Sequence, residues 1–145
     1  MAIQTIGFIG LGLIGGSMAK AFRRVSPEMK IIAYNRSRES LVEALADGII
    51  NQAQDSLDEN FAACDMIFLC APVTVNIQCM KILKALIRPD CLLTDVGSVK
   101  STIHEAVEEL GLEGQFIGGH PMTGSELSGY ANASDRLLED RKSVV

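Results

Sequence analysis

Short apolar segments alternate with amphipathic segments along most of this 145-residue chain, which predicts strands and helices in alternation. The most apolar segment, residues 66–70, shows no two-residue alternation, which is typical of a strand covered by helices on both faces. Strands are predicted over residues 5–9, 31–34, 52–53, 66–70, 92–95 and 115–117, and the third of these is the weakest.

Between these strands, apolar residues recur at intervals of three and four, the spacing of one face of a helix. Helices are predicted over residues 14–25, around 41–45, over 77–87 and over 102–110. Gly48 and Gly111 can end the second and fourth of them in a left-handed conformation. Pro27 follows the first predicted helix and Pro89 the third, and each marks the end of its helix.

Strands that alternate with helices build parallel sheets through right-handed crossovers. We therefore predict the α/β fold class: a doubly wound, mainly parallel Rossmann-type sheet with helices on both faces, as one domain over residues 1–145. Ligands of such sheets bind beyond the carboxyl ends of the strands. Loops at 10–12, 71–73 and 95–100 and the loop that holds His120 are expected to share that edge.

The composition excludes several classes of partner. A net charge of -5 without a basic stripe argues against binding of nucleic acid or of an anionic membrane surface. No apolar segment approaches the roughly 20 residues of a membrane helix, and no signal peptide is recognised. The four cysteines include no Cys-x-x-Cys pair, which predicts reduced core thiols, no metal site and a soluble, cytoplasmic protein.

A glycine-rich motif follows the first predicted strand and opens the first helix. Gly10 would allow the tight turn, Gly12 a close approach of the backbone to a pyrophosphate, and Gly15 close packing of the helix on the strand. Leu13 and Ile14 lie in the first helical turn, where backbone N–H groups favour anions. In this context the motif predicts dinucleotide binding. The alternative is a glycine-rich turn without a ligand.

The segment after the second strand predicts the type of dinucleotide. An NAD enzyme usually has an acid here for the ribose hydroxyls, whereas this chain has Asn35, Arg36, Ser37 and Arg38. Neutral and cationic donors suit a 2′-phosphate, so NADP is favoured and NAD stays possible. Alternatively, Asn35 or Ser37 caps the next helix and both arginines point into solvent.

His120 is the candidate catalytic base, because a neutral imidazole can accept the proton of a substrate hydroxyl during hydride transfer. Ser98 follows the adjacent strand and could hydrogen-bond both substrate and histidine, or could cap the next helix. Asp95 could brace the loop backbone. His104 falls inside a predicted helix and is interpreted as an ordinary helical residue.

Four motifs follow one another along the chain. They are Gly10-x-Gly-Leu-Ile-Gly-Gly-Ser17, Ala71-Pro72-Val73, Asp95-Val-Gly-Ser-Val-Lys100 and Gly118-Gly-His-Pro-Met-x-Gly-Ser-Glu126. In this order they resemble the nucleotide-binding domain of prephenate and arogenate dehydrogenases over nearly all 145 residues. Many dehydrogenases share the glycine motif, but the last two motifs together are quite specific to this family.

The resemblance implies oxidative decarboxylation of prephenate or arogenate in tyrosine biosynthesis, with hydride transfer to NAD(P)+. His120 matches the histidine that deprotonates the ring hydroxyl, and Ser98 the serine that supports it. Ser125 and Glu126 match positions at the substrate entrance. Ala71, Pro72 and Val73 are expected to flank the cofactor. These assignments come from the resemblance alone.

Members of that family also carry a helical domain that forms a homodimer and contributes an arginine for the substrate carboxylate. This domain is absent from the 145 residues, so we expect a truncated or isolated domain with weak or no turnover by itself. Two other interpretations stay open at this stage. One is an NADP oxidoreductase of the β-hydroxyacid dehydrogenase type, and the other is a nucleotide-sensing module without chemistry.

Overall fold

The computed structural model describes residues 2–122, 128–139 and 142–144. Its strands are β1 (Thr5–Ile9), β2 (Lys30–Tyr34), β3 (Gln52–Gln54), β4 (Met66–Leu69), β5 (Leu92–Asp95), β6 (Phe116–Ile117), β7 (His120–Pro121) and β8 (Ser143–Val144). Its α-helices are α1 (Leu13–Val25), α2 (Arg38–Ala46), α3 (Val73–Leu83) and α4 (Ser101–Leu110). Within the described residues, no helix is long and apolar enough to cross a membrane.

Six strands form one parallel sheet in the order β3-β2-β1-β4-β5-β6. The order reverses between β1 and β4, which is the switch point where doubly wound sheets bind their ligands. This confirms the predicted fold class. All six predicted strands are present, and the weak one lies at the edge of the sheet as β3.

Helices cover both faces of the sheet. Buried residues of α1 and α2 pack with Ile6, Phe8 and Phe68 on one face. Buried residues of α3 and α4 pack with Ile9 and Ile67 on the other. Successive residues of β1 and β4 thus enter different cores, which explains why their sequences are continuously apolar.

The predicted bounds of one helix and one strand need correction. α3 begins directly after Pro72 and ends at Leu83, rather than running over 77–87. Beyond Leu83 the backbone tightens, because Ala85 and Leu86 donate to carbonyls three residues earlier. The strand predicted over 66–70 ends at Leu69. The ends at Gly48 and Gly111 are as predicted, with φ angles of 73° and 68°.

The return segment, residues 128–139, packs against α1. Tyr130 is 2 % exposed and its hydroxyl donates to Asp47 at 3.0 Å. Lys20 lies 4.5 Å from the centre of the Tyr130 ring. The described residues of this segment include a 3-10 turn, Tyr130–Asn132, and β8 pairs antiparallel with β7. The return segment therefore contacts the helix that follows the glycine loop.

Candidate active site

The loops predicted to share one edge of the sheet do so. Ile9 is in register with Tyr34 and with Leu69, and Leu69 with Asp95. The carboxyl ends of the four central strands therefore lie level, and the loops that follow them are neighbours. Two cavities open along this edge. One borders the glycine loop, and the other contains Ser98 and His120.

The glycine loop needs glycine at two positions for different reasons. Gly10 has a φ of 94°, and a Cβ there would lie 2.8 Å from the backbone N of Ala71. A Cβ at Gly15 would lie 2.3 Å from the carbonyl oxygen of Gly10. Both contacts are far shorter than van der Waals distance and involve backbone, which cannot easily move. These glycines allow the close packing of loop, helix and strand.

Gly12 is different, because a Cβ there would meet nothing within 4 Å. It is the N-cap of α1, and neither a side-chain cap nor an acidic residue occupies the first turn. Leu13 and Ile14 form that turn and are half-buried. An open N-terminus with unoccupied backbone donors is suited to a phosphate group. The residues present therefore fit the pyrophosphate of a dinucleotide.

Asn35 connects the glycine loop to the end of β2. Its Oδ1 accepts a hydrogen bond from the Leu11 N–H at 2.9 Å, and its Nδ2 donates to the Ser37 carbonyl at 3.0 Å. Ser37 occupies the N-cap position of α2 without a side-chain cap hydrogen bond. Asn35 thus braces two loops instead of capping a helix.

A cavity of about 230 Å³ borders the glycine loop. The predicted cofactor residues that line it are Gly10, Gly12, Asn35, Arg36, Ala71 and Pro72. Leu13, Ile14, Gly15, Ser37, Arg38 and Val73 lie in the same loops and helices outside this lining set. Predicted cofactor residues therefore lie on both sides of the cavity, although only some of the predicted set line its wall. Their role in binding stays a prediction.

The two arginines that follow β2, Arg36 in the loop and Arg38 at the start of α2, have different surroundings. Arg36 is exposed and lines the cavity beside the glycine loop. Arg38 forms an ion pair with Asp55 and lines a separate surface depression along α2. Of the two arginines, Arg36 is therefore the one that borders the cavity at the glycine loop.

Sequence reasoning missed two residues on the other side of the cavity. Val75 lines it one turn after Pro72, and both Val73 and Val75 pack against the core. Asn76 is 1 % exposed, accepts from the Ala71 N–H at 3.1 Å and donates to the Ala71 carbonyl at 2.8 Å. The helical spacing after Pro72 indicates Val75, but only the fold shows that Asn76 holds the loop.

Cys70 also borders the cavity. Burial, with a smaller contribution from Asp95, raises the pKa of its thiol far above the usual range. Burial likewise raises the pKa of Cys64 to about 12 and of Cys91 to about 11. Because the thiolate is the reactive form, these cysteines are inert near neutral pH. All four cysteines are free thiols.

The second cavity, about 510 Å³, brings Ser98 and His120 together. Ser98 is exposed in the loop after β5, and His120 is half-buried in β7. Ser98 does not cap α4, whose N-cap is Lys100. Lys100, His104, Phe116, Ile117 and Gly118 complete the wall. The pair predicted from sequence therefore shares one site.

A buried carboxylate organises the backbone around this site. Asp95 is 2 % exposed and its Oδ1 accepts from the Gly119 N–H at 3.2 Å. Its Oδ2 accepts from the Gly97 N–H at 3.2 Å and from Lys100 Nζ at 2.6 Å. Lys100 also donates to the Gly97 carbonyl. The bracing role considered for Asp95 thus extends to both loops of the cavity.

His104 contributes to the cavity wall, although its position inside a helix suggested no special role. Its ring meets Phe116 edge to face, with centroids 6.0 Å apart. The available signal was its spacing of four residues from Lys100, which places both on one face of α4. Ser125 and Glu126 lie outside the described residues. Within the described residues, no three metal-ligating side chains form a group that could hold an ion.

Comparison with known proteins decides the family. Residues 18–145 match the family model for the prephenate dehydrogenase nucleotide-binding domain. The chain belongs to this family. It is 37 % identical over 139 residues to the prephenate dehydrogenase of Bacillus subtilis (strain 168), covering 94 % of this chain and 38 % of that protein. Family membership therefore favours the prephenate dehydrogenase interpretation over the β-hydroxyacid dehydrogenase and nucleotide-sensing alternatives.

Solved structures agree. The prephenate dehydrogenase of A. aeolicus, in complex with hydroxyphenyl propionate and NAD+, superposes with a TM-score of 0.91 at 34 % identity, over 99 % of this chain and 50 % of that one. Synechocystis arogenate dehydrogenase gives a TM-score of 0.86 at 31 % identity, over 96 % of this chain and 48 % of that one. The chain thus spans half or less of the length of these relatives.

Proposed function

We propose that this chain is the cofactor-binding domain of an enzyme that oxidatively decarboxylates prephenate or arogenate and transfers a hydride to NAD(P)+. The observation that carries the proposal is the shared cavity of Ser98 and His120, at the same sheet edge as the glycine loop. The family match supports the assignment of that cavity to a cyclohexadienyl substrate.

In this reaction the nicotinamide, when bound, supplies the hydride acceptor. His120 accepts the proton of the ring hydroxyl while the C–H bond of the hydroxyl carbon breaks. Ser98 hydrogen-bonds the hydroxyl and orients it. The C–CO2 bond then breaks, CO2 leaves, and the electron pair enters the ring to give an aromatic phenolate, which takes the proton back from His120. Asp95 keeps both loops in place through the N–H groups of Gly97 and Gly119.

NADP is the proposed preferred cofactor. Arg36 lines the cofactor cavity, and the described part of the β2 loop places no carboxylate in its wall that would repel a 2′-phosphate. Glycine residues of the loop and the open N-terminus of α1 would hold the pyrophosphate, and Ala71 to Val73 would flank the nicotinamide half. NAD use is the alternative within the same proposal.

We further propose that a helical domain outside these residues completes the substrate pocket and forms a homodimer. The match to only 38 % of the B. subtilis relative supports a larger enzyme. Ser125 and Glu126 would contribute to the substrate entrance. The cytoplasm is the proposed compartment, since free thiols persist where the environment is reducing.

A chimeric enzyme tests the function directly. The matched segment of the B. subtilis prephenate dehydrogenase is replaced by this chain, and prephenate-dependent reduction of NADP+ and NAD+ is followed. We expect turnover, and a loss of about 10²- to 10⁴-fold in kcat for His120→Asn with unchanged cofactor affinity. A folded chimera that binds cofactor without turnover, or an active His120→Asn variant, would contradict the proposal.

A further inference from the structure

Two basic side chains border the cavity that contains Ser98 and His120. Lys100 is the N-cap residue of α4, and His104 lies one turn later. The backbone N–H of His104 donates to the Lys100 carbonyl at 2.9 Å. Both side chains line the cavity. The proposed reaction assigns neither of them a role with the substrate.

The charge of Lys100 is already balanced. Its Nζ lies 2.6 Å from Asp95 Oδ2, and the Asp95 side chain is 1 % exposed. A buried carboxylate at this distance holds the ammonium group as an ion pair.

The surroundings of His104 hold its ring at the cavity and leave it accessible. Phe116 meets the ring edge to face at an interplanar angle of 84°. A Cβ at Gly118 would lie 3.1 Å from His104 Nε2, so glycine leaves room for the imidazole. The residue is exposed, which allows it to exchange protons with solvent and to meet a ligand.

We propose that His104 forms a subsite for a carboxylate of the substrate, in the same cavity as Ser98 and His120. The inference rests on the proposed function and adds a group that recognises one end of an organic acid. A cavity of about 510 Å³ has room for such a ligand. A protonated imidazole donates a charge-assisted hydrogen bond to a carboxylate, which is stronger than a neutral one.

The subsite makes carboxylate binding depend on pH. The titratable groups described around His104 are Lys100 and Glu108, one turn before and after it on α4, and His120 in the same cavity. Histidine side chains in general change charge within the physiological pH range. Affinity for a carboxylate should therefore fall as the pH rises.

The chain contains only two histidines, so NMR can observe each imidazole separately. The probes are 3-(4-hydroxyphenyl)propionate and its neutral amide, titrated into the 145-residue chain at about pH 6 and about pH 8. At the lower pH we expect the propionate to shift the signals of both histidines and to bind about three-fold to ten-fold more tightly than the amide. At the higher pH the preference should disappear.

Three variants separate the subsite from the rest of the site. His104→Gln should abolish the preference for the propionate, while His104→Arg should retain it at both pH values. Glu109→Gln, an exposed change on the same helix, is the control and should behave like the unchanged chain.

The outcomes distinguish the two proposals. Equal binding of both probes, with a shift of His120 alone, would overturn the subsite and leave the proposed function intact. A shift of the His104 signal without a shift of the His120 signal would show that the carboxylate binds away from the reacting residues, which would contradict the proposed subsite. If neither histidine responds to the probe, the subsite proposal fails, and the proposed function is judged by the chimeric enzyme.

Discussion

The Oδ1 atom of Asp95 accepts a hydrogen bond from the backbone N–H of Gly119, 3.2 Å away. Gly119 immediately precedes His120, and Gly97, which donates to the other carboxylate oxygen, immediately precedes Ser98. One buried side chain at the end of β5 therefore fixes the backbone next to both candidate reactive residues. Their relative position follows from a single carboxylate.

Asp95→Asn tests this arrangement. The amide keeps one acceptor oxygen but loses the charge that pairs with Lys100, so we expect the free energy of unfolding to fall by about 1–3 kcal/mol. Urea denaturation measures the change. The control is Asp90→Asn, whose exposed side chain forms only a 3.4 Å ion pair with Arg88 and should change stability by less than about 0.5 kcal/mol. Equal stability of the Asp95→Asn variant and the unchanged chain would contradict the account.

Two glycines of the same motif should respond differently to alanine. Gly15→Ala places a Cβ 2.3 Å from the Gly10 carbonyl oxygen, so we expect about 1–3 kcal/mol of destabilisation. Gly12→Ala has open space around its Cβ and should change stability by less than about 1 kcal/mol. It should nevertheless weaken dinucleotide binding, because the added methyl group occupies space needed by the pyrophosphate.

Thermal denaturation and titration with NADPH measure the two effects. A Gly12→Ala variant that binds NADPH as tightly as the unchanged chain would show that the pyrophosphate does not approach this residue. A stable Gly15→Ala variant would show that helix and loop can separate without cost.

Arg36 and Arg38, the two arginines that follow β2, provide a matched pair for cofactor choice. Arg36→Ala should weaken NADPH binding about ten-fold to a hundred-fold through loss of a charge-assisted hydrogen bond, with little effect on NADH. Arg38→Ala removes an exposed ion pair with Asp55 and should leave the ratio of the two affinities unchanged. Fluorescence titration gives both constants. If Arg36→Ala weakens the binding of NADPH and of NADH equally, the proposed preference for NADP is contradicted.

The fold was predictable because its strands are buried on both faces. Ile67, Phe68 and Leu69 enter different cores in turn, so their apolar run is visible without any structure. The end of α3 was not predictable from spacing, since Leu86 and Ile87 continue the apolar pattern after the helix has tightened into turns. The short pairing of β7 with β8 depends on a contact between residues far apart in the chain.

The candidate site was predictable where a motif implies a backbone conformation. Gly10, with its φ of 94°, and Gly15, which has no room for a Cβ, are of this kind. The approach of a pyrophosphate to Gly12 stays a prediction. The contributions of Asn76, His104 and Val75 depend on which side of a helix faces a cavity, which the fold decides. Arg36 and Arg38 differ because Arg38 pairs with Asp55, and Asp55 follows another strand, β3.

At the amino ends of the strands, opposite the candidate site, we predict a contact that is sensitive to acid. Asp65 accepts hydrogen bonds from the N–H groups of Gln4 and Thr5 and pairs with Arg88, which together lower its pKa to about 2. Because the pKa is lower in the folded state, this stabilisation is present above about pH 4 and is lost as the pH falls towards about 2. Unfolding free energy should therefore decline more steeply over that range than in Asp65→Asn. Parallel declines would contradict this assignment.

The most direct test of the central claim is titration of the 145-residue chain with NADPH and with NADH, followed by backbone NMR. We predict saturable binding, tighter for NADPH, with the largest shifts at the N–H groups of Gly10, Gly12, Asn35 and Arg36. Signals of Gln4 and Asp65 at the opposite edge of the sheet should not move. Absence of saturable binding of either dinucleotide, or shifts centred away from the glycine loop, would contradict the assignment of this chain as a dinucleotide-binding domain.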